Sequence, residues 1–274
     1  MKRNITLLLA LSATAFYACN NTDKKVVETA DTISLEKPAA NAPAAEITVT
    51  PVTNSPEFPD AKLSMKLPAA KGAFKAGDSL QFDYTVTNFT LGSQTPDAGS
   101  KMCNNSAKGQ HIHLILNNAP YEAYYDSKFR RKMDSAHYIA LSFLSRSYHE
   151  SIKTKDAYVL REIGTPDKSR PFDMKAPHLF YSRPKGEYTG NDTKKVLLDF
   201  YLVNTRLGKD GNKVCATING KEFMLDTWQP YFIEGLPMGE NTIRLELLDN
   251  KGGKIAGPFN SVTRTITLKA EAAK

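Results

Sequence analysis

The sequence predicts an all-β protein: two tandem immunoglobulin-like β-sandwich domains after a signal peptide and a disordered tether. Three observations predict it. Apolar and polar residues alternate at a spacing of two over most of the 274 residues, which is strand periodicity. No long segment carries helical periodicity; Lys128 to Ala136 is the one stretch that reads as a helical turn. The chain also repeats itself. DYTVTNFTLG (Asp83 to Gly92) returns as DFYLVNTRLG (Asp199 to Gly208), ILNN (Ile115 to Asn118) as TING (Thr217 to Gly220), and YIALSFL (Tyr138 to Leu144) as TIRLELL (Thr242 to Leu248). Such a repeat is one folded module duplicated. The second copy therefore acts as an internal control: what the first has and the second lacks is not required by the fold.

The N-terminal segment, residues 1–18, has the basic start and apolar run of a secretory signal peptide: Lys2, Arg3, then Ile5 to Ala18. Cys19 follows directly, as in the lipobox of bacterial lipoproteins, and is expected to carry lipid, palmitate included. Asn20 is not the aspartate of the inner-membrane retention rule, so the expected address is the outer membrane. Residues 19–46 are rich in Ala, Pro, Thr, Glu and Lys with few large apolar side chains, the composition of a disordered tether. It would hold the folded body off the membrane by up to roughly 90 Å.

The formal charge of +7 falls to +5 when Lys2 and Arg3 are removed, and the lysines are dispersed rather than gathered in a stripe. Nucleic acid is accordingly not an expected partner. Export also permits a disulfide between Cys103 and Cys215, the alternative being two free thiols.

The first sandwich is expected over 47–167 and the second over 168–274, divided where prolines and charges interrupt the strand pattern near Pro166 to Pro177. Ile112, Leu114 and Leu116, with Ile139, Leu141 and Phe143, read as the buried faces of two strands in the first copy. Val214, Ala216 and Ile218, with Ile243, Leu245 and Leu247, correspond in the second. The intervening residues then face solvent. Asn219-Gly220 marks a type I′ hairpin, since both positions need positive φ.

Three departures of the first copy point to function. An insertion, Ser93 to Gly109, is rich in Gly, Asn and Ser. His111 and His113 stand where the second copy has Lys213 and Cys215. Arg130, Arg131 and Lys132 form a basic triplet, and SRSYHE (Ser145 to Glu150) replaces a plain turn. His111 and His113 leave the same strand face, outward if Ile112 and Leu114 face the core, and imidazole suits copper or zinc. Counting strands that alternate in direction puts the insertion, His111, the triplet and His137 at one end of the sandwich. Arg146, Tyr148 and His149 then go to the other end with Asn117 and Asn118. The expected metal set is thus His111, His113 and His137, and a set including His149 is disfavoured. The triplet beside the insertion offers an anion site. Arg146, Tyr148 and His149 form a second loop cluster suited to a sugar or peptide. Serine-hydrolase, zinc-protease and phosphate-loop motifs are missing from the sequence, so neither an enzyme nor a catalytic cofactor is expected.

The stretches GQHIHLILNNAPYEAYYD, SRSYHESIK, LFYSRPKGEY and GLPMGENTIRLELLD resemble uncharacterised exported lipoproteins of Gram-negative bacteria with tandem immunoglobulin-like modules. The resemblance covers roughly Pro56 to Leu268 and implies the same fold and address. Some of those proteins carry a phosphopeptide-binding label, which the basic triplet would suit. Three functions remain open: a tethered non-enzymatic module for an anionic ligand or an envelope protein, a periplasmic copper or zinc protein, and a structural scaffold.

Overall fold

Alternation of β-branched, aromatic and polar residues builds strands almost throughout the computed structural model, which describes residues 46–69, 72–101, 104–166, 168–169 and 171–271. The signal peptide, Cys19 and nearly all of the tether lie outside the described residues, as does Cys103. In chain order come β1 (Thr48–Pro51), β2 (Lys62–Leu67), β3 (Ser79–Thr87), β4 (His111–Leu116), β5 (Glu122–Tyr124), β6 (Lys128–Lys132), β7 (His137–Ser145) and β8 (Tyr158–Gly164). The second half adds β9 (His178–Arg183), β10 (Gly186–Thr189), β11 (Val196–Val203), β12 (Lys213–Ile218), β13 (Lys221–Leu225), β14 (Tyr231–Glu234), β15 (Gly239–Leu248) and β16 (Ser261–Lys269).

These strands form four sheets. The first sandwich pairs β2-β3-β6 with β5-β4-β7-β8, and the second pairs β1-β14-β11-β9 with β10-β16-β15-β12-β13. Strand for strand, β9-β11-β14 repeats β2-β3-β6, and β13-β12-β15-β16 repeats β5-β4-β7-β8. The duplication read from the sequence is therefore a duplication of topology. Even its backbone detail recurs: Asn88 and Asn204, at matching places in the repeat, have φ of 55° and 56°. The hairpin residues Asn117 and Asn118 (50° and 55°) answer Asn219 and Gly220 (48° and 87°).

Four expectations are corrected. The first concerns β1, which falls within 47–167 but pairs antiparallel with β14 and so belongs to the second sandwich. The second concerns Lys128 to Ala136, whose first five residues are strand β6, hydrogen-bonded to β3. The third is a slip of one residue. Ile112 lies opposite Leu144 and Leu116 opposite Ala140, whereas Val214 lies opposite Leu247 and Ile218 opposite Ile243. Ala140, not Ile139, is thus the counterpart of Ile243, and a one-residue slip exchanges the two faces of a strand. Tyr138, Ala140 and Leu144 enter the core of the first sandwich with Ile112, Leu114 and Leu116, while Ile139, Leu141 and Phe143 point the other way.

The fourth correction concerns that other face. It is not solvated. Ile115, Tyr121, Ile139, Leu141 and Phe143 of the first sandwich pack against Phe180, Tyr201 and Val203 of the second, forming a third core between them. Strands β4, β9 and β11 are consequently buried at every residue. The described residues form one compact unit of four stacked layers.

Asn118 pins this seam. Its amide donates to the carbonyls of Leu179 and Phe259 (3.2 Å each), its carbonyl oxygen accepts from the Tyr181 N–H (2.9 Å), and Arg264 reaches its backbone oxygen. The corresponding residue of the second copy is Gly220, which has the backbone freedom but no side chain to do this. Asn118→Gly should therefore keep the hairpin and still lose about 2–4 kcal/mol, the cost of leaving buried β9 groups unpaired. Urea unfolding reads this directly, and an unchanged midpoint would contradict the assignment.

Candidate functional site

The strand count that separated His149 from His111 fails at β6. That strand leaves the sheet of β4 and β5 for the opposite sheet, adding one reversal before β7 begins. His111 therefore lies opposite Ser145, at the end of β7 from which SRSYHE departs. His137 begins β7 at the far end, past Leu116, where its Nε2 meets Glu162 at 2.9 Å. The expected set of His111, His113 and His137 is not brought together; His111, His113 and His149 are.

Their ring nitrogens converge. His111 Nε2 stands 2.8 Å from His113 Nε2 and 3.1 Å from His149 Nδ1, and the three donor atoms lie within 4.8 Å of one another. His111 and His113 are fully buried and His149 is 7% exposed. The outward face of β4 that carries the first two is roofed by the second sandwich, with Ser182 Oγ 3.4 Å from His113 Nδ1. Tyr121 stacks on His113 at 3.5 Å between ring centroids, and its hydroxyl is 3.2 Å from His149 Nδ1. Phe143 closes another side, edge-on to His113.

The two loops peculiar to the first copy build this site. The insertion packs on SRSYHE through reciprocal bonds: the Ser147 N–H donates to Thr95 Oγ1 (2.9 Å), and the Ser106 N–H to the Ser147 carbonyl (2.8 Å). The insertion ends at Gly109, whose carbonyl faces His111 Nδ1 at 2.8 Å. Gly109 has φ of +84°, and a Cβ there would lie 2.5 Å from the Gly92 oxygen, so only glycine fits. His149 itself adopts φ of 70°, unusual for a residue with a Cβ, and this conformation is part of the turn that swings its ring inward.

Proton accounting shows what the cluster lacks. A carbonyl acceptor at Gly109 requires His111 Nδ1 to carry hydrogen, leaving Nε2 with a single lone pair. Two ring nitrogens approach that lone pair. If Tyr121 donates to His149 Nδ1, then His149 and His111 confront each other lone pair to lone pair. If His149 donates instead, Tyr121 loses its acceptor there, and His113 Nε2 either competes as a second donor for the same lone pair or confronts it with its own. A cation between the nitrogens removes the conflict. With metal–nitrogen bonds of about 2.0–2.1 Å, neighbouring donors around a tetrahedral ion stand about 3.3 Å apart, close to the 2.8 and 3.1 Å found at His111 Nε2.

Electrostatics keep the rings in the ligating form. Burial lowers His111 to about 4, helped by Arg183 and Lys185 and opposed by the bond to Gly109. Burial also holds His113 well below the usual imidazole value, with His111 and His149 adding to the effect, and holds His149 far below it. The adjoining charges are positive. Lys185 sits 3.7 Å from the Tyr121 ring centroid and donates to the Tyr121 carbonyl, and Arg183 lies over the same ring. Burial brings Lys185 down to about 8.

The other expected sites fare differently. Arg130 and Lys132 are exposed on β6, while Arg131 on the alternate face is held by Glu122 at 2.8 Å. Since Lys132 pairs with Ser79, the triplet lies at the end away from the insertion, and its strand conformation splays the three side chains apart. It does not form an anion pocket with the inserted loop. In the second cluster Tyr148 is 1% exposed with its hydroxyl bonded to Asp97, and Arg146 is paired with Glu150 and bonded to the Pro56 carbonyl. That loop supports the site instead of presenting a surface to a sugar or peptide. Cys215 is a buried free thiol on β12 whose pKa burial raises.

Sequence reasoning missed His149 as a partner, and Tyr121, Ser182, Arg183 and Lys185 as the surroundings. A readable signal existed: VLLDFYLV and YIALSFL are nearly unbroken apolar runs, the mark of strands covered on both faces.

The strand topology defines the class: a tandem pair of immunoglobulin-like β-sandwiches. Among solved structures, the chain is similar to fibronectin(III)-like modules of Clostridium thermocellum CbhA, at 11% identity and a TM-score of 0.27, covering 76% of this chain and 94% of that one. It is also similar to the central fibronectin-III array of RIM-binding protein, at 10% identity and a TM-score of 0.25, covering 76% and 71%. A third similarity is to the SGBP-B protein of the Bacteroides ovatus mixed-linkage glucan utilization locus, at 11% identity and a TM-score of 0.20, covering 74% and 46%. Likeness this distant says nothing of ligands. No family model and no curated protein matches the chain.

Proposed function

We propose that this chain is an exported, lipid-anchored, non-enzymatic protein that holds a copper or zinc ion through His111, His113 and His149. One observation carries the reading: three buried imidazole nitrogens lie within 4.8 Å of one another, two of them 2.8 and 3.1 Å from His111 Nε2. The basic start, apolar run and Cys19 support the anchor, and the tether composition supports a body held off an outer membrane.

Charge favours copper in its cuprous state. The donor set contains no carboxylate or thiolate, and two cations, Arg183 and Lys185, stand beside it. A monovalent ion is far less costly than a divalent one in such a place, because desolvation rises steeply with charge. A divalent ion would need an anion as a further ligand.

The test is titration of the intact protein with Zn(II) by calorimetry and with Cu(I) by competition against a colorimetric chelator. The expected result is one ion per chain, with Cu(I) the tighter. Binding no tighter than ~1 mM for either metal would remove the proposal.

A further inference from the structure

Where the two sandwiches meet at the surface, the seam opens into adjoining hollows of about 610 and 400 Å³ that share Lys155, Tyr158 and Asn204. Both fall in the size range of small-ligand sites, and domain boundaries are where such sites form. This is a different part of the seam from the histidines, and its chemistry does not depend on a metal.

The lining combines two chemistries. Tyr158 and Trp228, one from each sandwich, supply half-buried ring surface. Lys62, Lys155 and Arg206 supply exposed cations, and none of the three has an ion-pair partner among the described residues. Lys153 adds no free charge, because Asp199 holds it at 2.5 Å. Against these stands one lining carboxylate, Asp156. The hydroxyl of Thr154, buried in the same wall, has no hydrogen-bond partner among the described residues. The exposed Arg130 and Lys132, by contrast, lie on an open strand face.

We infer that this groove binds an acidic oligosaccharide. A uronic acid presents what the lining receives: an apolar pyranose face for Tyr158 or Trp228, and a carboxylate for Lys62, Lys155 or Arg206. Aromatic side chains offer such faces at low conformational cost, and guanidinium pairs with carboxylate through two parallel bonds. A small inorganic anion would use only the cations. A neutral sugar would leave three unpaired positive charges crowded around the ligand.

Trp228 is the sole tryptophan of the chain, so intrinsic tryptophan fluorescence reports on this groove alone. The intact protein is titrated with tetragalacturonate, with maltotetraose as the neutral probe and sodium phosphate as the small-anion probe. The expected result is a saturable change in Trp228 emission with tetragalacturonate only, weakening as salt is raised. Lys155→Glu and Arg206→Glu, both at exposed positions, should each weaken it about tenfold or more, while Lys66→Glu outside the groove leaves it unchanged. Three outcomes would overturn the inference. These are emission that tetragalacturonate does not move, an equal response to maltotetraose or phosphate, and charge-reversed variants that bind as well as the parent.

Discussion

His149→Ala is expected to weaken Cu(I) or Zn(II) binding by at least ~100-fold, whereas His137→Ala should leave it unchanged. Removing one of three ligands costs more than disturbing an outer hydrogen-bond partner, itself a matter of about 10–100-fold. One residue belongs to SRSYHE and the other begins β7, so the pair separates the observed constellation from the one expected by counting strands. Equal effects of the two substitutions, or a larger one at His137, would show that the converging nitrogens are not the ligands. Circular dichroism and urea midpoints on both variants exclude simple misfolding, since His137 is half-buried and its ring pairs at the tip with Glu162.

The metal-free protein should be acid-labile well above the carboxylate range. Each cluster imidazole has a folded-state pKa below its ordinary value near 6.5. Between pH 6.5 and about 4 the unfolded chain takes up protons that the folded chain refuses. Stability is therefore whole above 6.5 and lost as the pH falls. For His111 alone the loss approaches about 3 kcal/mol by pH 4, and His113 and His149 add to it. Glu150, raised by burial, works in the opposite sense above its ordinary value and offsets part of this loss. Urea midpoints measured at pH 7.5, 6 and 5 should decline steadily in chelator-treated protein. They should hold with metal bound until the ion is released. A flat profile for the chelated form would mean that the rings are hydrated.

Most of the architecture was legible in the sequence because the duplicate supplied it. Period-two alternation marked the strands, Asn219-Gly220 the hairpin, and paired repeats the correspondence of β3 with β11 and β4 with β12. What could not be read was where strands change sheets. FRRK carries no signal that β6 abandons β5, and that one crossing reversed the placement of His137, the triplet and His149. Nor could alternation alone show that Ile139, Leu141 and Phe143 meet a second sandwich instead of their own. Both kinds of face need apolar residues, and a shift of one position exchanges them. The histidines themselves stood out for a sound reason: a plain copy of the module does without them.

Strand β1 has a bearing on how this molecule is made and dissected. Thr48 precedes its partner Glu234 by 186 residues, so the second sandwich's first sheet cannot be completed until that much more of the chain has been made. Pairings so distant along the chain tend to form late. Cutting the gene at the proline-rich junction would strand this ribbon on the wrong product. An isolated C-terminal half would expose the bare edge of β14 and invite aggregation, unless residues 46–52 were supplied back as a peptide.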